Sequence, residues 1–210
     1  FIYLYILLFS KIILASNSGS FLISQTAFEN YDFHKVVHEY RVNQNVDYKN
    51  DYLDELISAV VTENINVAKD IAEKFLLINP DSQEAKLVSM TKAFNSKNKN
   101  ELNALRFDSS GKKNDLFEFI FFLNDKIKSK SSISNSFLEI VRSSYSNKDK
   151  HYTQNYNFLL FYTTLAILIN NKNYEAIYIK GQLLQLIGDY KYAEATYLKI
   201  PENTNLFLDA

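Results

Sequence analysis

The stretch GQLLQLIGDYKYAEATYLKIP, from Gly181 to Pro201, constrains the fold of this chain more than any other feature. The chain has only four glycines, and two of them, Gly181 and Gly188, lie in this stretch. Apolar and small residues recur there at three- and four-residue spacing, which is the period of amphipathic helices. Gly188 suits the left-handed conformation that ends a helix, and Asp189 suits the N-cap of the next helix. The stretch therefore predicts two antiparallel helices joined by a tight turn.

The side chains of the two predicted helices have sizes that suit close packing. Gly181 and Ala193 are small residues on the facing sides, so the two backbones can approach closely. Leu184 and Tyr197 are large, and Tyr197 fills the space beyond the small residues. We therefore predict that these four residues, together with the turn residue Gly188, carry the packing of the pair.

This pattern resembles the tetratricopeptide repeat, a helix–turn–helix unit of about 34 residues. The likeness includes the small position at Gly181, the turn at Gly188 and the aromatic position at Tyr197. It departs from the family at Ile177, where tryptophan is usual, and at Pro201, which ends the second helix early. The order of segments along the chain also resembles exported tetratricopeptide proteins of alphaproteobacteria, which implies a cell-envelope protein with no assigned chemistry.

Weaker copies of the unit lie upstream, in residues 21–48, 52–80 and 83–107. The copy in 52–80 has small and apolar residues at the packing positions, namely Leu56, Ala59 and Ala68. Any amphipathic helix pair can give such matches, so an unrelated helical fold is the alternative. With only two prolines and four glycines, the chain has few of the tight-turn residues of a β-rich fold. We predict an all-α fold, an α-solenoid of antiparallel helix pairs that curves into a superhelix.

The predicted organisation has N-terminal repeats over residues 16–107, a degenerate helical section over 108–154 and a C-terminal unit over 155–210. Within the less regular part, apolar spacing predicts three helices and two loops. The helices are at 116–127, 135–145 and 156–170, and the loops are at 108–115 and 146–154. The helix at 156–170 is apolar nearly all round, so we expect it to be buried.

Residues 1–15 form an apolar run that small polar residues follow, which is typical of a cleaved export signal. As a helix the run would span about 22 Å, less than the ~30 Å hydrocarbon core of a bilayer. An uncleaved membrane anchor and a buried first helix are the alternatives. We expect a periplasmic or otherwise exported protein, and a membrane-anchored protein is the second alternative. We also expect the natural chain to start upstream of Phe1 and to continue beyond Ala210.

No motif of enzymatic chemistry emerges from the sequence. Cysteine is absent, which excludes disulfides and thiolate chemistry. His34 and His38 have the i,i+4 spacing of a metal pair, but no third ligand accompanies them, and a zinc site needs three or four. The adjacent carboxylates Asp54 and Glu55 point apart on a helix and are expected to be solvated. We predict a non-enzymatic protein with no cofactor and no metal, and a helical metal-dependent hydrolase is the least favoured alternative.

The charge pattern argues against a nucleic-acid partner. The formal net charge is -1 and the lysines of residues 97–130 alternate with acidic residues. Such mixed charge provides no extended positive field for nucleic acid, and a solvated surface is expected.

The resemblance implies binding of a protein or peptide on a concave wall formed by the first helix of each repeat. The partner-binding candidates are aromatic and amide side chains at the wall positions, namely Tyr178, Gln182, Gln185, Phe21, Gln25 and Phe28. The corresponding wall positions of the 52–80 unit are Leu53, Ile57 and Val60. Contact with another part of the chain, and a structural role in an envelope assembly, are the alternatives.

Overall fold

The computed structural model describes residues 19–42, 52–146 and 155–205. In these ranges the regular structure is helical apart from short antiparallel strands, which confirms the all-α class. The apolar run 1–15 and most of the loop 146–154 lie outside the described residues. The helices follow the chain in this order: α1 (19–29), α2 (Phe33–Val42), α3 (Tyr52–Val61), α4 (Ile65–Ile78), α5 (Gln83–Asn95), α6 (Lys99–Leu105), α7 (Asp115–Phe121), α8 (Lys130–Ser146), α9 (Tyr156–Ile169), α10 (Tyr174–Leu186) and α11 (Tyr190–Tyr197).

Polar residues with short side chains fix where many of these helices begin. At eight of the described helix starts the residue before the helix accepts a side-chain hydrogen bond from a backbone N–H of the first turn, and this satisfies a donor that lacks a helical partner. The capping residues are Asp32, Ser82, Asn98, Asn114, Ser129, Asn155, Asn173 and Asp189. The abundance of asparagine in the chain therefore has a structural use at the helix boundaries.

The predicted helix over 116–127 is wrong in its second half. Helix α7 ends at Phe121, and residues 122–127 form a hairpin of β1 (Phe122–Leu123) and β2 (Lys126–Ile127). Both residues of its two-residue loop have positive φ, 49° for Asn124 and 61° for Asp125. Asparagine and aspartate adopt this conformation more readily than most residues, and a two-residue loop with two positive φ values favours a hairpin.

Helices that are neighbours in sequence pack together over most of the described chain. Helix α4 packs against both α3 and α5, and α10 packs against both α9 and α11. Helix α3 also touches α5, so α3, α4 and α5 form a compact group of stacked helices. The apolar spacing of each helix is thus satisfied first by its nearest neighbours in the chain.

Helix α9 lies at the centre of the core. It contacts α8 and α10 on either side in sequence, and it also packs against α3 and α5 of the N-terminal half. Its residues Leu160, Phe161 and Leu165 are completely buried, as expected for a helix that is apolar nearly all round. Because α9 joins both halves, most of the described apolar side chains belong to one continuous core.

The two ends of the described chain also meet. The His34 ring of α2 stacks on Tyr192 of α11, with ring centroids 4.1 Å apart. Tyr31, which precedes α2, makes an edge contact with Tyr156 at the start of α9. The last helix pair therefore lies beside the first one.

Two expectations about α3 are wrong. Glu55, expected to be solvated, is only 8% exposed. Ile57 and Val60, expected on an open concave wall, are buried, and α3 packs against α9. Burial of apolar side chains against α9 stabilises the fold, so these positions belong to the core and not to a free surface.

Candidate interaction surfaces

The α10–α11 pair is built around its turn and a glycine–tyrosine contact. Gly188 has φ of 85°, which a residue with a Cβ rarely adopts, and the Asp189 carboxylate accepts a hydrogen bond from the backbone N–H of Tyr192 at 3.3 Å. A Cβ on Gly181 would lie 2.6 Å from Cζ of Tyr197. Ala193 of α11 is also buried. The missing side chain at Gly181 thus makes room for the Tyr197 ring.

Tyr197 in turn supports the outer face of α10. Its hydroxyl donates a hydrogen bond of 2.9 Å to Oε1 of Gln185, and its ring lies 5.9 Å from that of Tyr178. Burial raises the pKa of the Tyr197 hydroxyl, so it stays protonated and able to donate. The contact holds Gln185 in one orientation at the surface.

The predicted binding residues of α10 lie on one face of that helix. Tyr178, Gln182 and Gln185 are spaced i, i+4 and i+7, which places them on one side of a helix. Gln182 and Gln185 are exposed, and Tyr178 is half-buried. We call these three residues the α10 face.

The predicted binding residues of α1 have different surroundings. Gln25 is exposed, whereas Phe21 and Phe28 are half-buried and Phe28 packs edge-on against Phe33 of α2. A cavity of about 340 Å³ beside α1 is lined by other residues, among them Leu22 and Ile23. The α1 candidates thus support the α1–α2 pair more than they line an opening.

The remaining repeat-packing residues are in the core. Leu56, Ala59 and Ala68 of the α3–α4 pair are fully buried, and Leu184 of α10 is nearly so. The structure therefore brings the predicted packing residues into two separate helix pairs, and it leaves Gln182 and Gln185 of the α10 face exposed.

The two histidines on α2 have separate surroundings. His34 stacks on Tyr192, and burial lowers its pKa, although Asp189 and Asp32 act in the opposite direction. His38 is exposed. Over residues 19–42, 52–146 and 155–205, no three histidine, cysteine or carboxylate side chains are grouped so that they could hold a metal ion.

A groove that the sequence did not reveal lies beside the α5–α6 turn. Its volume is about 650 Å³, and its walls come from that turn, from the β1–β2 hairpin and from the start of α8. Its lining includes four lysines, namely Lys97, Lys99, Lys126 and Lys130. We call it the lysine groove.

The four lysines are exposed. Two other basic groups of the same region, Arg106 and Lys113, are paired. Arg106 donates to Glu118 at 2.6 Å and to Asp125 at 2.8 Å, and Lys113 also donates to Asp125. By contrast, none of the groove lysines forms an ion pair within the part of the chain that the structure describes. The groove is lined by these four lysines and one carboxylate, that of Asp125, so a local excess of positive charge remains.

Among the described helices, none is both long and apolar enough to cross a membrane. Comparisons with protein-family models, with curated proteins and with solved structures find no match to this chain.

Proposed function

We propose that this protein is a non-enzymatic helical scaffold that binds a protein or peptide partner through the α10 face. The observation that carries the proposal is the exposure of Gln182 and Gln185 beside the half-buried Tyr178 ring. A glutamine amide both donates and accepts hydrogen bonds, so two of them on one helix face can pair with an extended peptide backbone. Aromatic rings add apolar contact area at low entropic cost.

The hydrogen bond from Tyr197 strengthens the case for this face. A side chain that is already held in one rotamer loses less entropy when a partner binds, so more of the contact energy appears as affinity. Gln185 is such a side chain, because the Tyr197 hydroxyl fixes its amide group.

We further propose that the helix pairs are tetratricopeptide-like units of a short solenoid. The stacking of α3, α4 and α5 and the glycine-based packing of α10 on α11 support this interpretation. The contacts of α9 with α3 and α5 fill the wall of the 52–80 unit from within the chain. Partner binding on the inner wall is therefore proposed for the C-terminal unit only.

We propose that the protein acts in a bacterial cell envelope. The support is the apolar run of residues 1–15 with its small polar exit, FIYLYILLFSKIILASNSGS. Intact-mass measurement of protein isolated from its natural cells tests the proposal. A mass that lacks the run is expected for cleavage and export, and a mass that retains it would leave the membrane anchor and the buried first helix as the alternatives.

A quantitative pull-down tests the binding function. Tagged wild-type protein, a Gln182→Ala/Gln185→Ala variant and a Lys191→Ala/Glu194→Ala control are used to recover proteins from the natural cells. All four positions are exposed, so every variant should fold, although Gln185→Ala removes the acceptor of the Tyr197 hydroxyl. We expect at least one partner whose recovery falls in the α10 variant and not in the control. Equal recovery of every partner by all three proteins would overturn the proposal.

A further inference from the structure

We propose that the lysine groove is a second binding site, which takes an acidic, partly apolar peptide segment of a partner protein. The site lies on α5, α6, α8 and the β1–β2 hairpin and shares no residue with the α10 face. It therefore goes beyond the proposed function, because it specifies the chemistry of a ligand at a different surface.

The positive charge of the groove comes from separate elements of the fold. Lys97 lies in the α5–α6 turn and Lys99 begins α6, while Lys126 is in β2 and Lys130 begins α8. Lys97 has φ of 58°, so the backbone itself turns at that point. Since the residues come from chain segments that are distant in sequence, the fold is what brings the four lysines to one groove.

The acidic groups near the groove do not cancel this charge. Asp125 lines the groove, but its carboxylate accepts hydrogen bonds from Arg106 at 2.8 Å and from Lys113 at 2.6 Å. These two basic groups lower the pKa of Asp125, so it remains ionised and paired. Glu101 of α6 accepts a hydrogen bond from the neutral Asn98 side chain and is not among the residues that line the groove. An anionic ligand would thus meet lysines whose charge is not neutralised by described neighbours.

The remaining lining favours a peptide over a small anion. The groove also has apolar side chains, of which Phe94 and Ile127 are half-buried while Ala93 and Leu102 are buried. A volume of about 650 Å³ is in the range of sites that enclose several side chains, and a site for one phosphate would need convergent donors instead of an apolar lining. A peptide that presents carboxylates to the lysines and apolar side chains between them would match both the charge and the apolar lining of the groove.

Other large ligands fit less well. Nucleic-acid binding relies on an extended positive surface, and the formal net charge of the chain is -1. A flat membrane surface cannot enter a concave groove, whereas an extended peptide can. Charge complementarity therefore indicates an acidic peptide segment as the occupant.

Fluorescence polarisation with the full chain tests this assignment. The probe is a fluorescein-labelled peptide of about twelve residues in which glutamates alternate with leucines and phenylalanines. A second peptide has glutamine in place of every glutamate. We expect saturable binding of the acidic peptide that weakens with added salt, and binding of the glutamine peptide weaker by about tenfold.

Charge reversal locates the binding. The Lys126→Glu/Lys130→Glu variant is expected to bind the acidic peptide about tenfold more weakly, or weaker still. The control Lys35→Glu/Lys191→Glu changes the net charge equally at exposed positions on α2 and α11 and should leave binding within about twofold. Circular dichroism and unfolding curves of each variant confirm that both are folded.

Several results would overturn the inference. These are no acidic-peptide binding up to ~1 mM, equal binding of the two peptides, or equal losses in the two charge-reversal variants. Tighter lysine-dependent binding of a labelled single-stranded oligonucleotide would assign the groove to nucleic acid. Lysine-dependent self-association in sedimentation would assign it to a second copy of the chain. The α10 face takes no part in these measurements, so their failure leaves the proposed function standing.

Discussion

Lys180 Nζ lies 2.9 Å from Glu63 Oε1, which joins α10 to the α3–α4 turn across 117 positions of sequence. Lys180 is only 3% exposed, and its Nζ also donates to the backbone carbonyl of Val61 at 2.9 Å. Lys199, which follows α11, donates to the same glutamate at 2.8 Å. One carboxylate on a tight turn therefore receives two lysines from the C-terminal unit.

Removing the lysine should destabilise the fold. Lys180→Met leaves the Val61 carbonyl without its donor and Glu63 with Lys199 as its remaining lysine. We expect the free energy of unfolding to fall by about 1–3 kcal/mol, because a buried pair has lost one partner. Urea denaturation measures this, with the exposed Lys191→Met as the matched control, for which a change within about 0.5 kcal/mol is expected. Equal costs at both positions would mean that the pair contributes nothing.

The same ion pair should make the free energy of unfolding depend on pH. Burial alone would raise the pKa of Glu63, but attraction by Lys180 and hydrogen bonds from Lys199 and Lys180 outweigh it and lower the pKa from 4.5 to about 2. A carboxyl group whose pKa is lower in the folded state than in the unfolded state stabilises the fold fully at pH values above the unfolded-state pKa. That stability is lost as the pH falls from about 5 towards 2.

Comparison with Glu63→Gln isolates this contribution from that of other carboxylates. The difference in unfolding free energy between wild type and variant should shrink by about 1–2 kcal/mol between pH 6 and pH 2, after allowance for the partly exposed side chain. A difference that stays constant over this range would contradict the low pKa.

The glycine–tyrosine contact predicts a coupling between two substitutions. Gly181→Val should cost about 1–3 kcal/mol, because the new side chain would overlap the Tyr197 ring. In a Tyr197→Ala background the ring is gone, so the cost of Gly181→Val should fall by about 1 kcal/mol or more. Glu194→Val at an exposed site of α11 serves as the control. Additive costs in the two backgrounds would place the Tyr197 ring away from Gly181.

The contact between the first and last helix pairs is testable in the same way. His34 and Tyr192 stack with an interplanar angle of 17°. A double-mutant cycle of His34→Ala and Tyr192→Ala should give a coupling of about 0.5–1 kcal/mol, the usual size for aromatic pairs. His38→Ala, on the same helix and exposed, should show no coupling to Tyr192→Ala. A coupling energy of zero between His34 and Tyr192 would mean that the ring contact does not stabilise the packing of α2 beside α11.

Local sequence patterns predicted where the helices lie better than they predicted the long-range contacts between the helices. The apolar run of α9 indicated burial, and burial is what the structure shows. Its position against α3 and α5 was not predictable, because periodicity identifies a buried face without identifying the helix that covers it. For the same reason Ile57 and Val60 were assigned to a wall when they belong to the core.

The hairpin at 122–127 did have a signal in the sequence. The apolar run LFEFIFF indicated a helix, but Asn124 and Asp125 are the residue types that tolerate positive φ in a two-residue turn. The lysine groove had no local signal, because its lysines are interleaved with acidic residues along the chain and come together from separate segments only on folding. Lys180 likewise resembles any surface lysine in sequence, although it is buried.

Site-specific photocrosslinking at the α10 face tests the central claim most directly. A photoreactive phenylalanine analogue replaces Gln182 in one protein and Glu194 in another, both exposed positions, and each is irradiated in the natural cells. Binding through the α10 face predicts a discrete adduct with another protein from position 182 and none from position 194. No adduct at 182, or the same adduct from both positions, would contradict it.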